Sequence, residues 1–217
     1  MESIGINLFI VGKILPENAK NGQYIKSCKQ SLANIGIDYF DLYLLHWKSS
    51  VNLGDMVKNM EKLKSIGLIK NWGVSNFDVS EMEELFKIEN GNRCYCNQVL
   101  YNIGVRGPEL DLIPWCKAHD VLFMAYSPLC NSSLDRAKYL NDSNYLKIVK
   151  SENKTPESLM LSFVIRNKDI ITIFKTSNIN HLNNNMVNVF NDLSEDSIKL
   201  IDEYYPRPLI HDELMKI

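Results

Sequence analysis

Asp38 to Trp47 reads DYFDLYLLHW. Between Tyr39 and Leu45 every residue except Asp41 is apolar or aromatic. That is the pattern of a strand buried on both faces, as in a parallel sheet covered by helices. His46 and Trp47 close the run. A titratable imidazole at the C-terminal end of a buried parallel strand stands where α/β barrels place their chemistry. A hydrogen-bonded core histidine would give the same pattern, so this stretch alone leaves both readings open.

The chain on either side repeats the theme. Leu8 to Leu15 starts as a buried strand and carries Lys13 near its exit, and Pro16, Glu17 and Asn18 turn it. Tyr24, Ile25, Cys28, Leu32 and Ile35 form a helical stripe that Gly36 can end in the left-handed C′ position. After the central strand, Met56, Val57, Met60, Leu63 and Ile66 form a second stripe, stopped by Gly67. Asn71 to Phe77 is a short strand ending in Ser75 and Asn76. Asp78 with Glu81 has the spacing of a capping box for a helix using Met82, Leu85 and Phe86.

Further on, Asn97 to Tyr101 is a strand bearing Gln98. Pro108 to His119 supplies a helix with Pro114 in its first turn. Val121 to Tyr126 is the next buried strand, followed by Ser127 and Pro128 and then a longer insertion rich in Asn and Ser. Thr155 caps a helix with Pro156 at its first position, running to about Arg166. Ile170 to Phe174 is the last strand and delivers Lys175 and Thr176. Ser194 caps a closing helix with Ile198, Ile201 and Tyr205, and an irregular tail begins at Pro206.

Strand and helix thus alternate mostly at the roughly 30-residue interval of a βαβ unit. Buried strands with amphipathic helices between them imply a parallel sheet. No G-x-G-x-x-G follows any strand, which weakens a dinucleotide-binding fold of the doubly wound kind. Lys13, His46, Ser75, Asn76, Gln98, Tyr126 and Lys175 all fall at or near strand exits. A barrel of the (β/α)₈ type explains that placement best.

The 217 residues fit one sizeable domain. Apolar content of 45% and charge of 23% are ordinary for a globular chain, and a net charge of −2 gives no reason to expect nucleic acid or an anionic membrane as partner. The five cysteines, Cys28, Cys94, Cys96, Cys116 and Cys130, have neither C-x-x-C nor metal-ligand spacing, so reduced thiols in a cytoplasmic protein and no metal are expected. No apolar run approaches ~18 residues and no leader-like segment opens the chain.

The runs LLHW, NWGVSNF, NQVLYN, AYSPL and IFKTSNINHL stand in the order and spacing of the aldo-keto reductase family. The likeness runs from about Leu8 to Pro208 and is strongest to the family's bacterial branch. The resemblance implies an incomplete aldo-keto reductase TIM barrel, about six of eight strand-helix units, forming a single NADP-dependent domain over residues 1–217. It implies reduction of aldehydes and ketones to alcohols by hydride transfer, with NADPH preferred to NADH and a small carbonyl compound as substrate. It also implies roles. Lys13 matches the lysine that lowers the pKa of a catalytic tyrosine, and His46 the histidine that orients the carbonyl. Ser75, Asn76 and Gln98 match the side chains that hold the nicotinamide carboxamide. Tyr126 matches the aromatic on which that ring stacks, with Ser127 beside it. Lys175, Thr176, His181 and Asn185 match the region that grips the adenosine phosphate.

The physical logic agrees. A nicotinamide needs a flat apolar face and amide partners, and a 2′-phosphate needs a nearby cation and hydroxyl donors. The likeness begins at the family's third unit, so its aspartate and its catalytic tyrosine have no counterpart in these residues. Lys48 and Phe174 replace frequent prolines, while His181 and Asn184 replace a frequent arginine and acid. Impaired turnover is therefore expected, with a non-catalytic dinucleotide-binding or protein-interaction remnant as the alternative. Six strands would also leave two open sheet edges, a route to oligomers.

Overall fold

A computed structural model describes residues 8–19, 23–210 and 214–215. They divide into two compact units, residues 1–97 and 98–217.

In the first unit, β1 (Val11–Ile14), β2 (Phe40–Leu45) and β3 (Ile69–Ser75) follow one another across the sheet in chain order. Both pairings are parallel, with Lys13 opposite Leu44 and Leu45 opposite Val74. All six residues of β2 are buried, including Asp41. Asp41 escapes the cost of burial through its partners: the Ile10 backbone N–H donates to it at 2.9 Å and Lys70 Nζ at 2.8 Å. The Lys70 hydrogen bond is the main reason its carboxyl stays below the ordinary value. The strand is shorter than its apolar run, because Tyr39 is 41% exposed. Leu8 and Phe9 likewise stand in solvent ahead of β1 instead of inside a strand.

Helices α1 (Tyr24–Ile35), α2 (Leu53–Ser65) and α3 (Val79–Phe86) connect and follow these strands. Tyr24, Cys28 and Leu32 on α1, and Met56, Val57, Met60 and Leu63 on α2, are the buried stripe positions. Each such side chain stabilises by about 1.5–3 kcal/mol on burial. Gly36 and Gly67 both sit at φ 77°, the left-handed conformation that ends a helix at little cost only for glycine. The Asp78–Glu81 capping box is formed in both directions. Asn52 caps α2 by accepting from the Asp55 N–H at 3.0 Å.

The boundary between the units falls inside β4 (Cys96–Leu100). In the second unit β4, β5 (Leu122–Tyr126) and β6 (Ile170–Thr172) again follow chain order, with β5 and β6 parallel. Helix α4 (Leu112–Ala118) starts later than the sequence suggested, since Pro108 lies in a separate 3₁₀ turn, Gly107–Glu109. The Asn- and Ser-rich insertion, to which the sequence reading assigned no element, is helical. It holds α5 (Ser133–Leu140), capped by Ser132, and α6 (Ser143–Ser151), capped by Asp142. The caps and the Tyr145, Ile148, Val149 stripe prevail over a composition that reads as loop.

Helix α7 (Pro156–Ile165) is buried on every side from Leu159 to Val164, which makes it the core helix of this unit. Its Thr155 cap is formed reciprocally with Ser158. The short α8 (Ile179–Met186) was not legible in the sequence. The closing α9 (Glu195–Tyr204) follows its Ser194 cap, and the tail has neither helix nor strand from Pro206 to Ile210. Strand β6 stops at Thr172, two residues earlier than expected. Among the described residues no helix is long and apolar enough to cross a membrane.

Candidate active site

Within the first unit, four of the singled-out residues lie at the C-terminal side of parallel strands. Lys13 is the third residue of β1, His46 directly follows β2, Ser75 ends β3 and Asn76 follows it. Backbone bonding fixes where His46 sits: its N–H donates to the Ile14 carbonyl at 2.9 Å, carrying the β1–β2 ladder past the strand end. The Asn76 amide donates to the His46 carbonyl at 3.4 Å and to Ser75 Oγ at 3.3 Å.

The electrostatics lower the pKa of both basic groups. Burial pushes the Lys13 ammonium down to about 8, with Cys96 opposing the shift. Burial, and then the Lys13 charge, lowers the half-buried His46 below its usual value. At neutral pH the imidazole is therefore neutral, and a ring N–H can donate to a carbonyl oxygen. Its ring also contacts Trp47, centroid to centroid 4.7 Å.

In the second unit Gln98 lies in mid-strand, buried, its amide donating to Met124 Sδ at 2.8 Å. Tyr126 is the last residue of β5 and Ser127 the next. Tyr126, Ser127 and Lys175 line one cavity of about 440 Å³. Lys175, Thr176, His181 and Asn185 line another of about 250 Å³. His181 and Asn185 are one turn apart on α8, the first exposed and the second 4% exposed.

Two strained residues mark these strand ends. Asn76 has φ 62° and Ser127 has φ 52°, left-handed values that are uncommon outside glycine. Each is held by a buried asparagine that the sequence reading passed over. Asn97 donates to the Phe77 carbonyl at 2.8 Å and accepts from its N–H at 3.4 Å, fixing the residue after Asn76. Asn102 donates to the Ser127 carbonyl at 3.0 Å while its Oδ1 accepts from the N–H groups of Gly104 and Val105. Both lie in the run NQVLYN, Asn97 inside the buried strand β4 and Asn102 just past its end. Arg136 of α5, which lines both cavities, was also missed.

Known proteins supply the context for this geometry. Residues 5–206 match the model of the Aldo/keto reductase family. The methylglyoxal reductase YeaE of Escherichia coli (strain K12) is 38% identical over 201 residues, spanning 93% of this chain and 71% of that protein. The glyoxal reductase of Bacillus subtilis is 29% identical over 90% of this chain and 67% of its own length. Among solved structures, an aldo-keto reductase from Klebsiella pneumoniae in complex with NADPH superposes with a TM-score of 0.93 at 34% identity. That match covers 97% of this chain and 74% of the Klebsiella one. By the family match over most of its length and by its likeness to YeaE, this chain belongs to the aldo-keto reductase family.

Proposed function

We propose that this chain acts as one NADPH-dependent reductase domain on small aldehydes and ketones, methylglyoxal being the first to test. The observation that carries the reading is the set of polar side chains at the ends of parallel strands, in a chain 38% identical to a methylglyoxal reductase. The donor set fits a dinucleotide: an aromatic face at Tyr126, and cations and hydroxyls around two cavities. In this reading Ser75, Asn76 and Gln98 hold the carboxamide, and Tyr126 stacks on the nicotinamide with Ser127 beside it. Lys175, Thr176, His181 and Asn185 receive the adenosine phosphate. The nicotinamide supplies the hydride. His46 donates a hydrogen bond to the carbonyl oxygen, burial keeps it neutral, and the Lys13 charge adds to that effect.

None of these residues is the family's tyrosine proton donor, so the 217 residues alone are expected to reduce slowly. The five cysteines have neither C-x-x-C nor metal-ligand spacing, which suits a reducing compartment such as the cytoplasm.

The cofactor assignment has a direct test. Lys175→Ala should weaken NADPH about five- to tenfold more than NADH, because only NADPH carries the 2′-phosphate that the ammonium would meet. Fluorescence titration of both nucleotides against both proteins measures this. Equal losses would remove Lys175 from the phosphate, and binding without methylglyoxal turnover would favour a non-catalytic member of the family.

The same reading extends to assembly. Among the described pairings β1 bonds only β2 and β6 only β5, while Phe9, Ile171 and Ile173 are 57%, 41% and 43% exposed nearby. Unpaired strand edges beside exposed apolar side chains favour pairing with another copy. Light scattering at micromolar concentration should therefore give a mass above that of one chain. A cooperative monomer would refute this.

A further inference from the structure

The cavity of about 250 Å³ that takes in Lys175, Thr176 and His181 is not lined by cations and donors alone. Glu157 is the one carboxylate among the described residues around it. It is the second residue of α7 and is half-buried. The helix cap does not use it: Thr155 Oγ1 accepts from the Ser158 N–H and Ser158 Oγ from the Thr155 N–H, both at 3.1 Å. Thr155 Oγ1 also donates to the Asn184 carbonyl at 2.8 Å, which fastens the start of α7 to α8, the helix of His181 and Asn185. Glu157 stands two residues from that tie, on the border of the cavity assigned above to the adenosine phosphate.

A carboxylate only accepts hydrogen bonds, so in this cavity it sorts nucleotides in the opposite sense to Lys175. A sphere of that volume is about 8 Å across, so a carboxylate and a phosphate inside it repel over no more than a Debye length. NADH brings a ribose 2′-hydroxyl instead, a donor that the same carboxylate can bond. We propose that Glu157 is a specificity-determining residue, narrowing the NADPH preference set by Lys175 and admitting NADH as a second hydride donor. The inference rests on the dinucleotide reading above.

The experiment titrates NADPH, NADH, 2′-AMP and 5′-AMP against wild type, Glu157→Gln, Glu157→Ala and Lys175→Ala, with a thermal melt of each protein. Both Glu157 variants should tighten NADPH and 2′-AMP about fivefold or more, with no gain for NADH or 5′-AMP. Added salt should shrink the NADPH gain, because the repulsion removed is electrostatic. A ratio of NADH to NADPH dissociation constants within twofold of wild type in both variants would overturn the inference. A lowered melting midpoint beside that unchanged ratio would leave Glu157 serving only the positive end of the α7 dipole. Weaker NADPH binding in the variants would also overturn it, making Glu157 an anchor for the cations of the cavity. Equal losses of the two dinucleotides in Lys175→Ala, or no binding of either by wild type, would instead fail the cofactor reading on which the inference rests.

Discussion

Glu109→Ala is expected to lower the unfolding free energy by about 3–5 kcal/mol, the usual cost of leaving a buried charge without its partner. Glu109 sits among two arginines and a tyrosine. Arg106 bonds it in a fork, Nε at 2.9 Å and an Nη at 2.8 Å, Arg166 reaches it at 2.9 Å and the Tyr101 hydroxyl at 2.8 Å. The Arg106 side chain is only 4% exposed, so water cannot replace the lost carboxylate there. Arg106 also donates to the Tyr205 carbonyl at 2.6 Å and to Asp202 at 2.7 Å, and so ties α9 to the rest of this unit.

Burial alone would raise the Glu109 carboxyl pKa, but the bonds from Arg106 and the charge of Arg166 outweigh it and the net shift is downward. The stability this group contributes is therefore present above the ordinary carboxylate range. It is lost as pH falls through the lowered value. Urea unfolding monitored at neutral pH should show the full deficit in Glu109→Ala, and the gap to wild type should narrow in acid. An unchanged midpoint at neutral pH would mean that the two arginines find water or other acceptors.

His46→Ala is expected to reduce kcat/KM for methylglyoxal about 10²-fold or more, with NADPH affinity unchanged. The backbone at this position is held by Ile14 and Asn76, so the substitution removes an imidazole without releasing the loop. The group removed is half-buried and neutral at pH 7, suited to donating a hydrogen bond to a carbonyl oxygen whose negative charge grows in the transition state. Steady-state NADPH oxidation and a separate nucleotide titration measure the two quantities. Unchanged turnover would reduce His46 to a ring packed against Trp47.

How far the sequence could be read depended on how local the cause was. The Tyr24, Cys28 and Leu32 part of the α1 stripe, its Gly36 terminus, the Asp78–Glu81 box and the Thr155–Pro156 start match the structure, because each is set by residues within one or two turns, whereas Ile35 of that stripe is 57% exposed. Helices α5 and α6 fall in the stretch read only as an Asn- and Ser-rich insertion, to which no helix was assigned. What decides them is distant packing, with Tyr145 of α6 buried against Tyr205 and its hydroxyl bonding the Pro156 carbonyl at 2.6 Å. Lys13, His46, Ser75 and Tyr126 were found because strand ends are visible in a sequence as the point where an apolar run stops. Asn97, Asn102 and Arg136 were not found. Nothing near them in the chain says that Asn102 will meet Ser127, 25 residues on, or that Arg136 will border the same cavities as Lys175.

The sequence by itself determined the alternation of buried strands with amphipathic helices, most of the helix caps and the polar residues at the ends of β1, β2, β3 and β5. Hydrophobic period and side-chain-to-backbone bonding act over a few residues and can be read directly. Only the tertiary structure decided that Asn76 and Ser127 are held in left-handed conformations, that Glu109 bonds two arginines and that Arg136 borders the same cavities as Lys175. Those outcomes depend on which distant groups are brought within hydrogen-bonding reach and away from water, a property of packing that no local pattern carries.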